Sequence, residues 1–285
     1  MATKLEISEL DFDSIKANLK SFLSQQDEFT DYDFEGSGMS VLLDLLAYNT
    51  HYLGFNANML ANEMFLDSAD LRASVVSLAK AVGYTPSSSS SALANINVTV
   101  NGPGTSSLTM IRGTKFTSTV NETSYSFVNN ADVTITPADG VYTFSNLDIY
   151  EGTYLNYKYT TNTSDIDQRY IIPNDDVDTN TLTVKVQNSA SDSITNVYTL
   201  ANGITALDST SKVYFLQEVE NGRYEVYFGD GVLGKKIEDG NIVILDYIVC
   251  NADAPNGASA FSLSGTLGGF TDVTITTNSG AAGGS

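Results

Sequence analysis

Two groups of residues are of types that could do chemistry. The first is a run of carboxylates in "DEFTDYDFEG": Asp27, Glu28, Asp31, Asp33 and Glu35. Two carboxylates held about 5–10 Å apart across a sugar cleft can cleave a glycosidic bond. Here they stand in a short segment ahead of an apolar helical pattern, and nothing marks a cleft. Acids just before a helix are stabilised by the positive end of its dipole. The run therefore reads as solvated and dipole-stabilising, or as a docking surface. The second group is Asp176, Asp178 and Asn180 in "NDDVDTNT", spaced like the start of a calcium loop. Such a loop needs Gly at its sixth position and Glu at its twelfth. Thr181 and Gln187 stand there, so turn residues ahead of the strand "TLTVKV" are the expectation.

Other chemistry is excluded by supply. His51 is the one histidine, which rules out histidine triads and multi-histidine metal sites. It is expected to be a packed or interface residue. Cys250 is the one cysteine, so there is no internal disulfide, and its setting in "NIVILDYIVC" predicts a buried thiol. "FGDGVLGKK" (Phe228 to Lys236) has neither phosphate-loop nor dinucleotide spacing and reads as a tight turn after "YEVYF". "IRGTKF" reads as a turn at Gly113 leading into a strand rather than as a basic patch. No enzyme, cofactor or metal site is expected.

The elements that hold these residues change period along the chain. "DSIKANLKSFLSQ" puts Ile15, Leu19, Phe22 and Leu23 on one helical face, with Asp13 or Ser14 as N-cap. A second helix is predicted from about Met39 to about Met64, apolar on nearly every side, which demands partners on nearly every side. A third, "SADLRASVVSLAKAVGY", starts at Ser68 and stops at Gly83, with a stripe of Leu71, Val75, Leu78 and Val82. "TPSSSSSA" then reads as a boundary. From Asn95 the runs are short, alternating and β-branched, and Asn221-Gly222 marks a hairpin.

The predicted fold is α+β: about three N-terminal helices followed by mainly antiparallel β domains. The divisions are a helical domain at 1–84, a Ser-rich linker at 85–94, a β region at 95–274 in two subdomains, and a Gly/Ser-rich tail at 275–285. A chain ending in such a tail points to a further or removed segment. A formal charge of -20, from 34 acids and 14 bases, repels nucleic acid and anionic membranes. No apolar run reaches the ~20 residues that a bilayer requires, and the acidic N-terminus is not a secretory signal.

Several segments, in order, resemble the baseplate wedge subunit family of T4-like contractile-tailed bacteriophages, within the broader baseplate J-like proteins. They are "DEFTDYDFEGSGMSVLLDLLAYNT", "LRASVVSLAKAVGYTPSS", "RGTKF", "YEVYFGDGVLGK" and "NADAPNGASAFS". The resemblance spans about Asp27 to Phe261, and the first two segments are its specific part. It implies a structural, non-enzymatic subunit of the virion tail baseplate, assembled in the host cytoplasm. It implies a heterotrimer of two copies with one copy of another wedge protein, joined through bundled helices. Contacts with a sheath-initiating wedge protein and the central hub would follow, with rearrangement when the sheath contracts. Family chains continue into a further region that joins subunits into an inner ring.

By the same resemblance, Asp31, Tyr32, Phe34 and Glu35 lead into the bundle helix. Leu42, Leu45, Leu46, Tyr48 and Tyr52 would then be its docking residues. A reading of another class is a tail adhesin or carbohydrate-binding module with a helical anchor, motivated by the tyrosines of "YLNYKY". Those tyrosines are more often sheet-surface or core residues.

Overall fold

A computed structural model describes residues 11–26, 28, 32–102, 106–201, 203, 207–219 and 222–285. It divides into two compact units, Met1–Thr85 and Pro86–Ser285. Among the described residues no helix is long and apolar enough to cross a membrane.

The first unit holds three helices: α1 (Phe12–Leu23), α2 (Gly38–Glu63) and α3 (Arg72–Ala81). The cap of α1 is Asp11, two residues before Asp13 and three before Ser14, and its carboxylate accepts the Ser14 amide at 2.8 Å. An acceptor at that position satisfies an amide that has no helical partner. α2 is capped by Ser37, whose Oγ accepts the Ser40 amide at 3.0 Å.

α3 starts four residues after Ser68, with Leu71 at the cap position and no side-chain cap bond. Glu63, the last residue of α2, accepts the amides of Asp70 and Leu71 at 3.0 and 3.2 Å instead. Ser68 hydrogen-bonds back to Asn62 within the connecting turn. The buried residues of α3 are Val76 and Ala79, while Leu71 and Val82 of the predicted stripe are exposed. The apolar period was right for a helix, but the face that packs inside this unit carries small residues.

The second unit contains two large sheets. β1 (Leu93–Asn101), β3 (Lys115–Val120), β4 (Thr123–Asn129), β6 (Val141–Glu151), β14 (Ser262–Leu263) and β15 (Val273–Ala282) form one, in the order β14-β3-β4-β6-β1-β15. β2 (Leu108–Met110) and β5 (Val133–Ile135) pair beside it. Strict alternation along β1 sends Ala94, Ile96, Val98 and Val100 into a core with Phe116, Phe127, Phe144 and Met110. That is the period-2 pattern of a half-buried strand.

The second sheet is built from the chain between. It comprises β7 (Thr153–Thr160), β8 (Tyr170–Ile171), β9 (Val177–Gln187), β10 (Thr195–Leu200), β11 (Val213–Glu218), β12 (Tyr224–Phe228) and β13 (Ile242–Val249). The order is β7-β13-β9-β10-β11-β12-β8, and only β10 and β11 run parallel among the described strands. β11 and β12 form the predicted hairpin, of which Asn221 lies outside the described residues. β13 is buried along both faces between β7 and β9, which accounts for its continuous apolar run.

Two segments differ from the expectation. Residues 275–282, expected as a tail, instead continue β15, which pairs with β1 from Val100↔Val273 to Leu93↔Ala282. The chain then continues to Ser285, which exchanges two backbone hydrogen bonds with Ser90, at 2.8 and 3.1 Å. The glycines there let backbones meet: a Cβ on Gly284 would stand 2.1 Å from the Ala252 carbonyl oxygen. The serine run is likewise packed, with Ser91 donating its amide to the buried Asp178 at 2.8 Å and Ser88 bonded to Thr179.

Candidate functional site: the outward faces of the long helix

α2 can be divided into stripes by burial. Ser40, Leu43, Ala47, Asn58 and Ala61 are buried, and His51 and Gly54 between them are half-buried. These positions follow one another at steps of three and four, so they form one seam along the helix. Most of its side chains are small or polar. His51 lies on it, with its ring edge-on to Tyr52 at 6.5 Å. Lys16 of α1 meets Asp44 at 2.5 Å, and that hydrogen bond raises the lysine pKa.

The large apolar residues lie elsewhere. Val41, Leu45, Tyr48, Tyr52, Phe55 and Met59 also step by four and three, and each is 45–65% exposed. Leu42, Leu46, Leu53 and Leu60 lie on a third line, 52–64% exposed, with Asn49 and Asn56 at the intervening positions. The helix is therefore inverted relative to an ordinary surface helix: small residues inward, two lines of large residues outward. Steps of three and four are the spacing by which helices interlock side chains in bundles. The Tyr48 and Tyr52 rings pack at a tilt with centroids 5.0 Å apart, and a hydrogen bond to Tyr52 raises the Tyr48 pKa.

Of the sequence-predicted residues, Leu45, Tyr48 and Tyr52 share one outward line, and Leu42 and Leu46 share the other. The shortlist omitted Val41, Phe55 and Met59 from the first and Leu53 and Leu60 from the second. Their signal was present in the three–four spacing. In the lead-in, Tyr32 is half-buried, Phe34 is 69% exposed and Glu35 stands exposed in a turn; Asp31 lies outside the described residues. Asp33 meets Lys20 of α1 at 3.3 Å, and the Ser37 amide donates to the Phe34 carbonyl at 2.9 Å. The described carboxylates of this run, Glu28, Asp33 and Glu35, thus face solvent, and Asp33 also meets Lys20.

The other sequence features have defined places. Asp178 accepts the amides of Ser91 and Asn180 inside β9, and among the described residues no group of three metal-ligating side chains forms. Cys250 is buried, which pushes its thiol pKa up. Of the "YLNYKY" tyrosines, Tyr154 donates to Asp246 at 2.8 Å and Tyr159 to the Ile171 carbonyl at 2.6 Å. Only Tyr157 is substantially exposed, so β7 presents no aromatic platform.

Comparison with known proteins places these elements. Residues 11–84 match the family described as baseplate wedge protein gp6-like, helical domain. Residues 157–250 match the third domain of bacteriophage baseplate wedge protein gp6, and this span falls on the second sheet. The chain is 32% identical over 290 aligned residues to baseplate wedge protein gp6 of Enterobacteria phage T4. That alignment covers 94% of this chain and 42% of the T4 protein, so the chain spans about two fifths of the length of its relative. Over the part of the family that it spans, the chain belongs to the gp6-like baseplate wedge proteins.

Proposed function

We propose that this chain is a non-catalytic structural subunit of a phage contractile-tail baseplate wedge. It assembles through the outward faces of α2 with a second copy of itself and with another wedge protein, in a 2:1 complex. The observation that carries this reading is the pair of exposed apolar lines on one helix. A helix with one self-satisfied seam and two open ones has room for two further helices. Burying apolar surface removes it from water at roughly 25 cal/mol per Å2, which would hold such a bundle together. Two seams match two partners.

The complex works in the virion tail baseplate and forms in the host cytoplasm, where it meets the sheath-initiating wedge protein and the hub. Its rearrangement on contraction is a rigid-body movement between packed states. Asp31, Tyr32, Phe34 and Glu35 act as the lead-in to the bundle helix, with Phe34 as an anchor and the carboxylates facing partner bases.

The test is the mass of the complex formed on co-expression with candidate tail proteins, by size exclusion with light scattering. A stable 2:1 assembly that is lost on deleting residues 27–65 supports the reading. A monomer indifferent to every tail protein defeats it.

A further inference from the structure

The chain enters the second unit through residues 86–90, a segment outside any helix or strand that lies along that unit. Firm structure begins just after it. Ser91 gives its amide to the buried Asp178 at 2.8 Å, and the carbonyl of the fully buried Ala92 accepts the Glu151 amide at 2.9 Å. Upstream of that anchor, among the described residues, hydrogen bonds hold the segment down. The Tyr224 hydroxyl donates to the Pro86 carbonyl at 3.2 Å. Ser88 Oγ lies 2.8 Å from Thr179 Oγ1 and accepts the Thr179 amide at 2.9 Å. The Ser90 amide donates to the Ser285 carbonyl at 2.8 Å, and the Ser90 carbonyl accepts the Ser285 amide at 3.1 Å.

These partners come from three separate places: β9, β12 and the residues beyond β15. The bonds to them are lost together if the segment lifts. Little else resists lifting. Residues 87–90 are all serine, and the half-buried Pro86 is the one apolar residue of the segment. β1, which follows almost at once, instead sends Ala94, Ile96, Val98 and Val100 into the core. A hydrogen bond broken at the surface is replaced by one to water, so its net contribution is small. A segment with few buried apolar contacts therefore opens at far lower free energy than a core strand.

We propose that residues 86–90 form a releasable strap. Docked, it fixes the point at which the chain leaves the second unit for the helical one. Lifted about its pivot at Ser91, it adds five residues to the connection between the units. An extended chain spans roughly 3.3–3.6 Å per residue, so the helical unit gains about 17 Å of reach. The strap thus gives the two units a short and a long tether. It is a property of the connection alone and does not rest on the docking of α2.

The test is amide hydrogen exchange on the full chain, resolved by residue. The Ser90, Thr179 and Ser285 amides lie far apart in sequence, yet should share one protection factor, because a single lifting exposes all three. That factor should be at least about a hundred-fold below those of Ile96 and Val98 in β1. Ser88→Ala should lower it at Ser90 and Ser285 by a further ~5-fold, the effect of one hydrogen bond, and leave Ile96 and Val98 unchanged. Ser88→Cys with Thr179→Cys, once oxidised, should raise protection at Ser90 and Ser285 by about ten-fold or more, and reduction should restore the native rates. If the two cysteines do not join, Ser88→Ala decides alone. Protection at Ser90 and Ser285 equal to that at Ile96 would make the segment a fixed part of the sheet and overturn the proposal. Protection that differs among the three amides and ignores Ser88→Ala overturns it too, since the segment would then not lift as one piece.

Discussion

Asp246 sits in β13 with 2% of its surface exposed, yet it holds a charge. Burial works against the carboxylate, but hydrogen bonds from Lys185 at 2.9 Å, Asn156 and Tyr154 outweigh it and bring its pKa below the ordinary value. Arg112, from the turn after β2, reaches Asp246 at 3.5 Å, donates to the Thr181 carbonyl at 2.9 Å and to Asn130, and lies 5.0 Å over the Tyr154 ring. This arginine therefore ties the two sheets together. Breaking a buried pair by removing one partner leaves the other charge uncompensated, which costs about 3–5 kcal/mol. Asp246→Ala is expected to lose that much in urea denaturation, and a loss below about 1 kcal/mol would show that the cluster does not hold the sheets. The pH dependence follows by linkage. A depressed carboxylate pKa contributes stability that is complete above the unfolded value of about 3.9 and is lost as pH falls through the lower folded value. Asp246→Asn should therefore flatten the acid limb of the stability profile. At the other end, burial and then the bond to Asp246 push the Tyr154 hydroxyl up to about 12. A raised pKa gives stability that is complete below the unfolded value of about 10 and drains away as pH rises toward the folded one. Tyr154→Phe should remove that part of the alkaline loss.

At the scale of the element, α2 makes a prediction through contrast. Leu43 is buried on the inward seam, so Leu43→Ala should cost about 2–5 kcal/mol in the isolated chain. Leu45 and Leu46 are exposed there, so Leu45→Ala or Leu46→Ala should move its stability by less than about 0.5 kcal/mol. If the outward seams are filled in the wedge, the same two changes should cost the complex about 2–5 kcal/mol. Equal stability of the complex with and without them would remove α2 from the interface. The helix and its all-round apolarity were legible in the sequence, because a 3.6 period is a local signal. Which line faces inward was not, because the buried Ser40, Ala47 and Ala61 are small and carry little apolar signal. The end of β15 was hidden for another reason: Asn278, Ser279 and Gly280 look like linker residues, and only pairing with β1, some 180 residues away, carries the strand on to Ala282. Arg112 could be read as a turn neighbour, but its partners Thr181 and Asp246 are distant in sequence and had no signature.

For the whole molecule, charge is the governing quantity. The chain carries -20, and residues 1–85 alone hold 13 acids against 5 bases. Copies brought together through their helical units repel one another, so an assembly held by apolar seams must overcome that repulsion. Raising the salt from about 0.05 M to about 0.5 M shortens the screening length from roughly 14 Å to roughly 4 Å. The repulsion weakens, whereas the proposed burial of Leu45, Tyr52 and their neighbours would not. The wedge complex should therefore keep its mass, or tighten, across that range in light scattering. A wedge complex that instead dissociates as salt rises would mean that the lead-in carboxylates, Asp33 and Glu35 among them, hold it by pairing with partner bases. The opening acid run would then be the interface, and the apolar lines of α2 would need another occupant.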